Sequence, residues 1–233
     1  MNRIARVLVF LCLGAFAAAG LARDFSYGSS REARLKALEL FDEVGLTMEY
    51  RGRNAQQGRL IRWERPIRVF VAGSPTPADM RKMRTFLAEL ALRVPEMPSI
   101  TLVEDESQGN LFVHFVPLKR LKDVLPGYVP GNWGMFFNSY RDFRIVRAVV
   151  GIASDVTSQM QRNHLVMEEI VGTLGLLNDH STYADSIVYQ KWTEVQKLSE
   201  VDWAMLNILY SPRLSAGMRR EDIRGVMLEH WSQ

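Results

Sequence analysis

Three observations predict an α+β fold in a single domain. Apolar residues alternate at period two in some stretches and recur at three and four in others, and the two patterns succeed one another along the chain. Without a short N-terminal apolar run, about 210 residues remain, ample for one packed core. That remainder contains no cysteine, because Cys12 is the only one in the chain. Neither disulfides nor thiolate metal sites are then available, and the core must supply the stability.

The N-terminal run has the form of an export signal. Arg3 and Arg6 precede unbroken apolar sequence from Val7 to Gly20, and Gly20-Leu21-Ala22 puts small residues at the two positions a signal peptidase reads. Residues 1–22 are expected to be a signal peptide, with the mature chain starting at Arg23 and residing in the periplasm or outside the cell. The run is shorter than the roughly 20 residues of a membrane span, so no stable span is expected after cleavage; an uncleaved anchor is the alternative. Cys12 lacks the small residue that precedes a lipidated cysteine. Loss of Arg3 and Arg6 lowers the basic count from 29 to 27 against 26 acidic residues, a near-neutral balance that gives nucleic-acid binding no support.

Residues 23–62 form an expected helical lead-in, and 63–233 the main domain. Leu35, Leu38, Phe41 and Val44 space as one helical face that Gly45 stops. A polar loop from Arg51 to Arg59 follows. Ile67, Val69 and Val71 alternate with Arg68 and Phe70, a strand starting near Pro66, where a missing amide donor is tolerated. Thr76 caps a helix with an apolar stripe of Met80, Met83, Leu87 and Leu90, closed by Pro95 and Pro98. Ile100 to Val103 and Leu111 to Val116 read as short strands around the acidic turn Glu104-Asp105-Glu106. His114, a lone strand histidine, reads as a satisfied or surface residue. From Pro117 to Arg144 the chain is rich in Pro, Gly and aromatics and reads as one long connection, a candidate for function. Arg147 to Ala153 is the next strand, after which Asp155, Thr157 or Ser158 opens a helix.

That helix carries the most informative stretch, Arg162 to Asp179. Met160, Met167, Ile170, Val171 and Leu174 form its apolar stripe, and Gly175 ends it. At about 100° per residue, His164, Glu168 and Gly172 share a stripe beside the buried face, with Glu169 a quarter turn further round. With Glu168 on the first position, the frame Glu168-Glu169-x-x-x-x-Leu174-Gly175-Leu176-x-Asn178-Asp179 resembles the metzincin pattern H-E-x-x-H-x-x-G-x-x-H. Glu169 matches the general base and Gly175 the turning glycine, while Glu168, Gly172 and Asn178 stand where the three histidine ligands would be. The chain also looks like a family of uncharacterised bacterial exported proteins from about Trp63 onward. The resemblance implies a zincin-like (metzincin-type) mixed sheet packed on helices, with the segment after Pro117 near the edge strand that borders the substrate cleft. Asp185-Ser186-Ile187-Val188-Tyr189 resembles the metzincin turn beneath the metal, with Val188 in place of methionine. Leu198 to Tyr210, opened by the capping-box-like Ser199-Glu200-Val201-Asp202, resembles the closing helix. Ile223, Val226 and Met227 mark a last amphipathic segment.

A catalytic zinc takes three protein ligands and leaves a place for water. Gly172 has no side chain to offer, and Asn178 is a poor zinc ligand compared with imidazole. No resident cofactor is therefore expected. If a divalent metal binds, Glu168, Asn178 and Asp179 form an oxygen-rich set suited to calcium, magnesium or manganese, and His164 can add a nitrogen. His164 and Glu168 at i, i+4 also read simply as a helix-surface pair worth a few tenths of a kcal/mol. Adjacent carboxylates about 100° apart on a helix are badly placed to flank one glycosidic bond. No G-x-S-x-G element supports a serine nucleophile, and His164, His180 and His230 have no derivable catalytic partner. The expected function is non-catalytic binding of a peptide or envelope protein. The alternatives are a metal-dependent hydrolase with Glu169 as general base and a structural envelope component.

Overall fold

A computed structural model describes residues 30–47 and 58–231. The expected signal segment and most of the Arg51 to Arg59 loop lie outside the described residues. Among the described residues no helix is long and apolar enough to cross a membrane.

The elements are α1 (Arg31–Val44), β1 (Ile67–Gly73), α2 (Pro77–Arg93), β2 (Ile100–Val103), β3 (Leu111–Val116), α3 (Leu121–Val124), β4 (Gly134–Arg141), β5 (Arg144–Ala153), α4 (Gln159–Leu174), α5 (Glu200–Leu209) and α6 (Arg220–His230). The five strands form one sheet in the order β2-β1-β3-β5-β4. All neighbours are parallel except β4, which runs antiparallel to β5 along the edge. This is the α+β class expected, a mixed sheet packed on helices. Its edge strand β4, antiparallel to β5, lies beside the central helix α4.

Side-chain alternation divides the sheet into two faces. Val69, Val113, Val150 and Ile152 join α1, α2, α4 and α5 in the main core, whereas Val149 and Ala153 of β5 face a small second cluster with Leu121 of α3 and Leu125 just past its end. Strand β3 is buried at all but one position, which explains its near-continuous apolar sequence. Helix α1 shares the main core through Leu38, Phe41 and Val44. The Val44 carbonyl also accepts from the amides of Leu177 and Asn178 at 2.9 and 3.1 Å.

Two sequence expectations need correction. The stretch from Pro117 to Arg144 is not one irregular connection: it contains α3 and the whole of β4. A hairpin joins β4 to β5 through Asp142 and Phe143, both at positive φ (50° and 64°). Such a turn ordinarily announces itself by Asn-Gly or Asp-Gly, so Asp-Phe hides it. Met160, placed on the apolar stripe of α4, is instead 49% exposed, because Ser158 caps the helix and Met160 falls in the outward first turn.

The capping residues behave as their chemistry dictates. Thr76, Ser158 and Ser199 each close a capping box, with Asp79, Gln161 and Asp202 as reciprocal partners. Helices α2 and α4 are tied at their N-termini by a buried network. Arg162 Nε donates to Asp79 Oδ1 at 3.1 Å, Gln159 Nε2 donates to the same oxygen at 2.7 Å, and Arg162 Nη1 donates to the Thr157 carbonyl at 2.6 Å. Burial pushes the Asp79 carboxyl up, but the hydrogen bonds from Thr76, Gln159 and Arg162 outweigh it and hold the group below its ordinary 3.8.

Candidate functional site

Helix α4 ends under unusual constraint, and that end shapes the site. Its last carbonyls have no intrahelical partners. Asn138 Nδ2 of β4 donates to the Gly172 carbonyl at 3.1 Å, Trp63 Nε1 to Thr173 at 2.9 Å and the Tyr210 hydroxyl to Leu174 at 2.9 Å. The chain then turns at Gly175, whose φ is 127° and where a Cβ would strike the Ile61 carbonyl oxygen. Glycine is required there on both counts.

A cavity of about 950 Å³ opens between α4, β4 and the segment 188–192. Strand β4 supplies Phe136, Asn138 and Tyr140, and α4 supplies His164, Glu168, Glu169 and Gly172. Asn178, Asp179 and Val188 also line it, so every candidate residue named from the sequence borders one space. Phe136, Phe137, Asn138 and Trp133 had no specific role in the sequence reading. Their signal was the aromatic density of the long segment, unusable while β4 was unrecognised.

Within that space the candidates differ. His164 is buried; its Nδ1 lies 3.1 Å from the Val195 carbonyl and its Nε2 lies 3.4 Å from Glu168 Oε2. The helix-surface pair is thus present, with Glu168 the more exposed member. Glu169 is 6% exposed and packs against the start of β4, where a Cβ on Gly134 would come within 2.5 Å of its Oε1. Asn178 turns toward α1, donating to Thr47 Oγ1 at 2.9 Å and to the Glu43 carbonyl at 3.3 Å.

Gly172, where the second helical ligand would stand, is covered rather than open. A Cβ there would penetrate the ring of Phe136, coming within 2.7 Å of its Cζ. The residues present therefore do not fit the three-ligand zinc of the metzincin pattern. The position of the pattern's second ligand, Gly172, is filled by an aromatic ring, and the amide at the third, Asn178, is committed to Thr47 and the Glu43 carbonyl. Among the described residues no group of three His, Cys, Asp or Glu side chains is placed to hold a metal.

The turn beneath the cleft is held from α5. Asp202, fully buried, accepts from Ser186 Oγ at 2.5 Å, from the Ile187 amide at 3.0 Å and from the Ser199 amide at 2.8 Å. Burial raises its pKa, opposed by these same hydrogen bonds. One acidic side chain thus caps α5 and fixes the Asp185 to Tyr189 turn, setting buried Val188 in the cavity floor. His180 closes the turn's other side: its Nδ1 accepts from the Thr182 amide at 3.0 Å, and Gln190 N donates to its carbonyl at 2.8 Å. Burial lowers the His180 pKa, with Asp185 acting the other way. Its place is structural, which the sequence left unassigned.

The chain belongs to the family described as "Protein of unknown function (DUF2927)", which matches residues 36–229. No curated protein matches it. Among solved structures it is similar to two of myroilysin, each at 12% identity and covering 73% of this chain. They are covered to 92% and 93%, with TM-scores of 0.42 and 0.45.

Proposed function

We propose that this chain is an exported peptide- or protein-binding module built on a metallopeptidase-like domain that has given up metal-dependent hydrolysis. The observation that carries the reading is the seating of Phe136 over Gly172: the space that would admit the second helical ligand is packed with an aromatic ring, while the cleft around it stays open. Strand β4 supports binding in the extended mode. It is the edge of the sheet, it lines the cleft, and among the described residues no strand pairs with its outer side. A free edge beside a cavity can take an added strand, backbone bonds supplying affinity and the cavity supplying side-chain selection. Export rests on the sequence of residues 1–22.

Capture and digestion of a randomised peptide mixture test this together. Purified protein is expected to retain a subset of peptides with masses unchanged over hours, and Glu169→Gln is expected to retain the same subset. Cleavage products that vanish in Glu169→Gln would make the chain a hydrolase instead, and no retention would remove the binding reading.

A further inference from the structure

We infer that the cleft selects peptides by a basic side chain, best an arginine, seated between Trp192 and Glu168; this rests on the peptide-binding reading above. A carbonyl oxygen only accepts hydrogen bonds, so the 3.1 Å contact with Val195 requires His164 Nδ1 to donate. His164 Nε2 then points at Glu168 Oε2 across 3.4 Å, longer than the roughly 2.7–2.9 Å of a closed charge-assisted hydrogen bond. Glu168, the more exposed of the two, keeps acceptor oxygens toward the cleft, where a cationic donor with several N–H groups can engage them.

The surroundings suit such a donor. Trp192 meets the same imidazole edge to face, with ring centroids 5.3 Å apart, and it is half exposed. Trp133 braces Trp192 at 5.5 Å and a steep 78°. An indole face and a carboxylate therefore flank one histidine, the pairing that holds a guanidinium by stacking and by its planar fork of donors. Charge points the same way. Among the described residues, the cavity is lined by Glu168, Glu169 and Asp179 against Lys191 as the one lysine or arginine. The cleft is acidic on a chain whose remaining charges nearly balance, which steers cations to it. A metal is less suited to this pair, because no third His, Cys, Asp or Glu among the described residues joins His164 and Glu168.

The test is selection of randomised octapeptides displayed on phage, run on the protein and on Glu168→Gln, with thermal melts showing both folded. The expected result is enrichment of arginine or lysine at one aligned position on the wild type. Glu168→Gln should still enrich peptides but lose that preference. A synthetic peptide from the selection should bind roughly tenfold more weakly to Trp192→Ala, the loss of a desolvated cation–π contact and its apolar area. Enriched peptides with no basic preference, or one unchanged in Glu168→Gln, overturn the seat and leave peptide binding standing. No enrichment over an unrelated protein removes both.

Discussion

Gly172 and Phe136 decide the chemistry of the cleft between them. A glycine in the middle of the motif would, taken alone, only subtract a ligand; with Phe136 against it, the space itself is gone. Gly172→Ala places a methyl group inside the ring's envelope and should destabilise the fold by about 1–3 kcal/mol, the usual cost of overpacking. Phe136→Leu should relieve part of that loss. Urea unfolding of the two single variants and the double variant measures the coupling, and strict additivity would mean the ring moves aside freely. Gly172→His meets the same ring, so placing a histidine there without clearing Phe136 should not create a metal site. Glu168 and His164 show the reverse situation, a predicted surface pair that keeps its partner. One member is buried and the other faces the cleft, so burial converts an ordinary helix pair into a candidate recognition element.

The helices are positioned by polar networks at their ends as much as by their apolar stripes. Asp79 and Arg162 join α2 to α4 with side chains only 1% and 11% exposed, and removing one partner strands the other. Asp79→Asn should cost about 3–5 kcal/mol, the range for breaking a buried pair. The sign of the pH effect follows from the lowered carboxyl pKa. Its contribution is complete above the unfolded value near 3.8 and is lost as pH falls through the lower folded value. Thermal melts between pH 6 and pH 2.5 should show a steeper acid decline in the wild type than in Asp79→Asn, by about the contribution of one such carboxylate. Parallel curves would place the coupling elsewhere. Most of these elements were legible in the sequence because cap, stripe and stop agreed: Thr76 and Ser199 capped as read, and Gly45 and Gly175 stopped as read. Strand β4 was not. Its alternation of Phe136, Asn138 and Tyr140 with Phe137 and Ser139 is neither clearly apolar nor clearly polar on either side, because one side faces a cleft rather than a core. The turn that would have exposed it uses Phe143 at positive φ in place of glycine.

Taken whole, the molecule sets a cleft between α4 and the edge strand β4, with Phe136 packed against Gly172 within it. Helix α4 and the edge strand β4 border the cleft, and the turn fixed by Asp202 sets Val188 in its floor. The sequence showed which helix would matter and which residues would border the cleft. It showed that Glu168, Gly172 and Asn178 stand at the ligand positions of the pattern they resemble, but not that Phe136 lies against Gly172, since that contact joins residues on two elements of which one was unseen. The direct measurement is elemental mass spectrometry of purified mature protein, wild type and Glu168→Ala side by side, with thermal melts before and after added zinc, manganese and calcium. The expected result is folded protein without stoichiometric metal and without a metal-induced rise in melting temperature. Near-stoichiometric metal in the wild type that disappears in Glu168→Ala would contradict it and return the cleft to metal-dependent chemistry.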